Sequence, residues 1–181
     1  MSTLFWIAYA AFVLSQGFIA YRYISTGNKL YLKSVLSTNI IFALYLVADA
    51  VFGIGVPYLV RLLAVIALFA HTFLGYYKDR YTRSQIFDRY LHVYGSFAYA
   101  LLVYGIINGL LKPSVSPRLY AVLFIVALGI AVGAVFETIE YFIDKRMPVK
   151  TQRDLKDTDV DLICDVIGSV LAGIAAYFFW L

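Results

Sequence analysis

Leu119–Ile143 reads L-Y-A-V-L-F-I-V-A-L-G-I-A-V-G-A-V-F-E-T-I-E-Y-F-I: no charge before Glu137, then a second glutamate three residues on, Glu140. A helix needs about 20 apolar residues to cross the hydrocarbon core of a bilayer, and this run is long enough. The short alternating segments of a membrane-spanning strand are absent from it. Five further runs have the same character: Leu4–Tyr21, Val35–Val56, Tyr58–Tyr77, Phe87–Leu111 and Val160–Leu181. The expected fold is all-α, a polytopic integral membrane bundle of six transmembrane helices forming a single domain over residues 1–181.

Composition points the same way. Hydrophobic residues make up 62% of the chain and charged residues 14%, and the mean hydropathy is +0.81. A soluble domain carries roughly a quarter charged residues, so much of this surface must face lipid. The aromatic share of 18% suits Tyr and Trp at the two membrane interfaces. No basic residue precedes the first run, and Arg22 follows it, which argues against a cleaved signal peptide. Cys164 stands alone, so it forms no internal disulfide; a small buried side chain is its expected role.

Orientation follows from the Lys and Arg residues. The segments joining runs 1–2, 3–4 and 5–6 hold Arg22, Lys29, Lys33, Lys78, Arg80, Arg83, Arg89, Lys145, Arg146, Lys150, Arg153 and Lys156, whereas the other side has Arg61, Lys112 and Arg118. Twelve against three accounts for all 15 basic residues and predicts a multi-pass protein of the inner or plasma membrane with both termini outside the cytoplasm. Basic loop residues also suit anionic lipid headgroups. Nothing in the charge pattern suggests nucleic acid.

The polar residues inside the runs carry the functional information. Gln16, Asn39, His71, Asp88, Arg89, His92, Glu137, Glu140, Asp161 and Asp165 all fall a few residues from a basic rim. At 1.5 Å per residue they lie roughly 7–14 Å below it, all on the expected cytoplasmic side. Spacing groups them: Asp88 and His92 are i,i+4, Glu137 and Glu140 are i,i+3, and Asp157, Asp161 and Asp165 recur every four residues. Each group shares one helical face. Small residues continue those faces (Ala64, Ala67, Gly129, Gly133, Gly168, Ala172), so close helix contacts are expected there.

Carboxylates at membrane depth cost several kcal/mol unless paired, protonated or metal-bound. A divalent ion, Mg, Mn, Fe or Zn, satisfies such an oxygen-rich set with one or two imidazoles. The expected ligands are Asp88, His92, Glu137, Glu140, Asp161, His71 and Asp157, and Glu137, Glu140, Asp161 and His92 are the expected catalytic groups. A two-metal version is disfavoured because the E-x-x-H spacing of helical di-iron proteins is missing. For Asp154, Asp157 and Asp159 the ordinary reading is a solvated carboxylate, and Asp157 also suits an N-cap of the last helix. Asp49 and Asn108 fall nearer the other side, as packing or separate polar contacts.

Three motifs resemble those of the YjdF-like inner-membrane proteins: F-D-R-Y-L-H (Phe87–His92), F-E-T-I-E-Y (Phe136–Tyr141) and T-Q-R-D-L-K-D-T-D-V-D (Thr151–Asp161). His71, in A-H-T-F-L-G-Y-Y, resembles a fourth. Order and spacing agree over about the last 110 residues, with departures at Leu91, Arg153, Lys156 and Asp159. The resemblance implies roles for His71, Asp88, Arg89, His92, Glu137, Glu140, Asp157 and Asp161, and none for Asp165. A looser likeness, D-x3-H, E-x2-E and D-x3-D, links the chain to VanZ-like membrane proteins. Neither likeness names a reaction.

Three functions accommodate these residues. The first is a metal-dependent enzyme acting on a lipid or lipid-linked phosphate, with Arg89 and Arg153 holding the anionic group. Against it, the chain has no phosphatase, CDP-alcohol transferase or P-loop signature. The second is a cation- or proton-coupled transporter, for which the polar residues make a poor path across the bilayer unless a homo-oligomer completes one. The third is a non-catalytic membrane scaffold or partner protein whose charges pair among themselves. Arg89 and Arg153 leave such a network short of positive charge, which favours metal or protonated carboxylates.

Overall fold

The structure, a computed structural model, describes residues 2–27, 29–114, 116–146 and 152–181. Lys150 and Thr151 lie outside the described residues, as do the side chains of Lys29 and Arg146. Among the described residues every element is helical: α1 Ser2–Ser25, α2 Lys29–Phe52, α3 Tyr58–Phe69 running on as a π-helical stretch Ala70–Tyr77, the single turn α4 Arg80–Arg83, α5 Gln85–Leu111, α6 Arg118–Arg146 and α7 Leu155–Phe179. Six of these helices are long and apolar enough to cross a membrane. Large apolar side chains such as Leu14, Ile41, Leu123 and Phe178 are exposed along them, as lipid-facing surfaces require.

The spans expected from the sequence are all present; most helices run a few residues beyond the expected ends, α2 starting at Lys29 rather than Val35 and α1 ending at Ser25 rather than Tyr21. The second run was expected to reach Val56, but α2 stops at Phe52 because Gly53 and Gly55 take positive φ of 61° and 76°. Asp49 holds the turn that follows, its Oδ1 accepting from Gly55 N at 3.0 Å and Val56 N at 3.4 Å. The last run was expected from Val160, but α7 begins five residues earlier. Its N-cap is Asp154, whose side chain accepts from Asp157 N at 2.8 Å. Asp157 is therefore not the cap; it is buried inside the first turn.

The chain divides into two compact units. The first runs to Phe87 and takes in Gly105–Lys112; the second comprises Asp88–Tyr104 and Pro113–Leu181. In the first, Ile19, Tyr23 and Val35 form a core against Tyr31, Leu32, Phe73 and Tyr77. Its polar residues satisfy one another: Gln16 Nε2 donates to Thr72 Oγ1 at 2.8 Å, and Asn39 Nδ2 donates to Gln16 Oε1 at 3.3 Å. Asp49 pairs with Arg61 at 2.8 Å, both buried.

In the second unit, α5, α6 and α7 pack through small residues. A Cβ placed on Gly168 of α7 would lie 2.1 Å from the Val93 carbonyl oxygen of α5, and one on Gly129 of α6 would lie 2.3 Å from Ser169 Oγ. Backbones that close admit nothing larger, so the small faces foreseen from sequence are contact faces here. The helices meet tightly enough that side chains one turn away are forced together, and that brings the polar groups into one place.

Candidate functional site

The carboxylates come from three helices of the second unit: Asp88 near the start of α5, Glu137 and Glu140 towards the end of α6, and Asp157, Asp161 and Asp165 along the first half of α7. Asp88, Glu137, Asp157, Asp161 and Asp165 are all buried. The i,i+4 column on α7 is the local cause, since one face carries all three aspartates inward and continues into Ser169, Ala172 and Ala176.

His92 is the hub. Its Nδ1 lies 3.1 Å from Asp165 Oδ1, while its Nε2 lies 3.8 Å from Glu137 Oε1 and 4.0 Å from Asp88 Oδ1. Asp165 Oδ1 also accepts from Ser96 Oγ at 2.5 Å. With the ring proton on Nδ1, donated to Asp165, the Nε2 lone pair faces the carboxylates. Histidine ligands of metal sites are oriented by the same kind of carboxylate contact.

The loop before α7 fixes the remaining acids. Gln152 Nε2 donates to Glu137 Oε2 at 2.7 Å, and Gln152 N donates to Asp144 Oδ2 at 3.0 Å. Arg153 Nη1 donates to Asp157 Oδ1 at 2.8 Å and reaches Asp88 Oδ2 at 3.3 Å. Burial lowers the pKa of the Arg153 guanidinium, but its hydrogen bond and ion pair with Asp157 outweigh that and leave it raised.

Two triads of ligand-type atoms result, each with its atoms within 4.8 Å of one another: His92, Glu137 and Asp161, and Asp88, Asp157 and Asp161. Asp161 belongs to both. Glu137 Oε1 and Asp161 Oδ1 are buried without a hydrogen-bond partner among the described residues, in residues only 6% and 4% exposed. A buried, ionised oxygen with no donor is costly.

Over residues 1–180 the chain matches the family described as "Predicted membrane protein (DUF2238)". The chain belongs to that family. A relative from Thermotoga maritima, described as "Uncharacterized protein", is 32% identical over 137 residues, covering 69% of this chain and 68% of the relative. No solved structure matches. Membership of this membrane-protein family agrees with the six long apolar helices. Neither description carries the narrower YjdF-like or VanZ-like naming, and neither names a ligand or a reaction.

Of the residues singled out in this family member, Asp88, His92, Glu137, Asp157 and Asp161 meet in the two triads. Glu140 stands outside both, within electrostatic reach of Glu137, Asp88, His92 and Asp161. His71 belongs to the first unit, where its Nδ1 meets the Tyr81 hydroxyl at 2.6 Å. Arg153 grips Asp157 and Asp88, and Arg89 is half-buried with its Nε lacking a hydrogen-bond partner. Ser96, Gln152 and Asp144 were not foreseen. Ser96 was legible as the next i+4 step after Asp88 and His92, whereas a glutamine and an aspartate joined across a loop carry no spacing signal.

Proposed function

We propose that this chain is a membrane protein that binds a divalent metal ion through His92, Glu137 and Asp161 and applies it to a phosphate group carried by a lipid. One observation carries the reading: Glu137 Oε1 and Asp161 Oδ1, buried and without hydrogen-bond donors among the described residues, belong to residues whose ligand atoms converge with those of His92 within 4.8 Å. Oxygen donors with one imidazole suit Mg, Mn, Fe or Zn. Such an ion, when bound, polarises a phosphoryl oxygen and makes a bound water more acidic. The protein's own part is positional. Asp165 and Ser96 hold the His92 ring, Gln152 holds Glu137, and Arg153 and Arg89 offer donors to an anionic headgroup.

The count of basic residues supports a site reached from the cytoplasmic side of the inner or plasma membrane, with both termini on the opposite side. On the three shared motifs, we count the YjdF-like proteins, and more distantly the VanZ-like proteins, as kin built around the same acidic and histidine residues.

Metal analysis of the purified protein tests the core of this reading. The expected result is one divalent ion per chain, lost in Glu137→Gln and in Asp161→Asn. A wild-type chain without divalent metal, with both variants as stable as wild type, would overturn it. The phosphate assignment is checked by release of inorganic phosphate from a lipid phosphate in mixed micelles. Activity that is unaffected by chelation would sink that part while leaving the binding site standing.

A further inference from the structure

The second triad is held differently from the first, and the difference is a matter of charge. Asp88 and Asp157 already have a cation: Arg153 Nη1 lies 2.8 Å from Asp157 Oδ1, 3.1 Å from Asp157 Oδ2 and 3.3 Å from Asp88 Oδ2. The Arg153 backbone N donates to Asp157 Oδ2 as well, at 3.2 Å. Among the described residues, no Lys or Arg pairs directly with Glu137 or Asp161, and Asp161 Oδ1, in the residue common to both triads, is buried without a donor. The Arg153 side chain keeps 28% of its surface exposed, so it has a way out towards solvent, whereas Asp88 and Asp157 do not.

We infer that Asp88, Asp157 and Asp161 form a second divalent-cation position, joined to the first through Asp161, and that the Arg153 guanidinium is the counter-cation standing in that position. The inference rests on the metal reading of the first triad. Charge arithmetic supports it. Fully ionised, the four carboxylates of the two triads (Asp88, Glu137, Asp157 and Asp161) carry −4. One divalent ion plus Arg153 supplies +3, and two divalent ions supply +4. A second ion therefore neutralises the set fully, but only once the guanidinium has left. Two ions sharing a carboxylate normally stand roughly 3.5–4 Å apart, and Asp161 is the carboxylate that the two triads share. An anionic group is what would draw Arg153 away, since guanidinium pairs with phosphate as readily as with carboxylate.

Mn2+ alone is the probe, read by equilibrium stoichiometry and by electron paramagnetic resonance on the full chain in detergent. Wild type binds one Mn2+, and Arg153→Gln binds two, with the signal of an exchange-coupled pair. Arg153→Lys, which keeps the charge, stays at one. Arg153→Gln with Glu137→Gln binds a single ion at the second position, so this double variant reports on the inference even if the first position binds nothing. Two uncoupled ions in Arg153→Gln, or one ion there and none in the double variant, overturns the inference while leaving the first position standing. Arg153→Gln also places unshielded carboxylates together, so it should accumulate better when Mn2+ is supplied during expression. Failure to accumulate with or without Mn2+, while Arg153→Lys folds normally, shows that metal cannot replace the guanidinium and counts against the inference.

Discussion

At the scale of residues, the site depends on one imidazole being aimed. His92 has a carboxylate on each side, and only the Asp165 contact, at 3.1 Å, is short enough to hold the ring. Asp165→Asn keeps an acceptor for Ser96 but loses the charge that fixes the Nδ1 proton. Metal affinity should fall by about 10- to 100-fold with the fold intact, the usual effect of removing the group that orients a histidine ligand. Competition with a chelator of known affinity measures it, and an unchanged affinity would mean that something else positions the ring. Ser96→Ala should cost less, since Asp165 remains charged. Much of this was legible: a four-residue period placed Asp157, Asp161 and Asp165 on one face before any coordinates existed. The role of Asp165 was not, because spacing says which residues share a face and nothing about which atom of a neighbouring helix each one meets. Serine was passed over for a related reason. A carboxylate in an apolar helix demands an explanation, and a hydroxyl that can bond its own backbone does not.

Between residue and molecule stand the helix contacts that set these distances. Gly168 lies three residues beyond Asp165 on α7, against the backbone of α5 one residue past His92. An added methyl would meet the Val93 carbonyl oxygen at 2.1 Å and the Phe97 backbone nitrogen at 3.1 Å, and backbone gives way only if the helices part. Gly168→Ala should destabilise the protein by about 1–3 kcal/mol, the ordinary cost of overpacking, and weaken metal binding as well. Gly17→Ala is the control, because beyond its chain neighbours and the adjacent backbone of its own helix no atom of the described residues lies within 4 Å of the added methyl. Thermal unfolding in detergent separates the two, and equal melting temperatures would refute the close-contact argument. Removing the Asp154 cap is a milder test at the same scale: Asp154→Ala should cost about 1 kcal/mol through the start of α7. Helix existence is readable from apolar run length, but helix ends are not, and two of those that differ do so for opposite reasons. Hydropathy carried the second run past glycines whose positive φ stops α2, and it ignored a polar first turn that Asp154 caps.

Over the whole molecule, the polar residues that the sequence places at one depth on six helices are shared between two compact units. Gln16, Asn39 and Thr72 bond one another in the first unit, and the carboxylates meet His92 in the second. Depth alone does not say which helices are neighbours. The basic residues need a similar correction. Arg61 was counted on the sparsely charged side, but it is buried against Asp49 at 2.8 Å and donates through Nε to the Val56 carbonyl at 2.7 Å. It therefore acts as a clasp on the Gly53–Gly55 turn, and setting it aside sharpens the asymmetry to twelve against two. Two consequences follow for a Cys164→Ser chain carrying single cysteines. A membrane-impermeant maleimide applied to intact cells should label Ser114→Cys, and should reach Thr82→Cys only after permeabilisation; both positions are exposed. The reverse pattern would invert the orientation and move the site to the outer face. Adding Arg61→Ala should leave that labelling pattern unchanged while lowering stability by about 3–5 kcal/mol, because it leaves the Asp49 carboxylate buried without its partner. A changed orientation with unchanged stability would mean that Arg61 is a topogenic charge after all, and that its pairing with Asp49 contributes little to the fold.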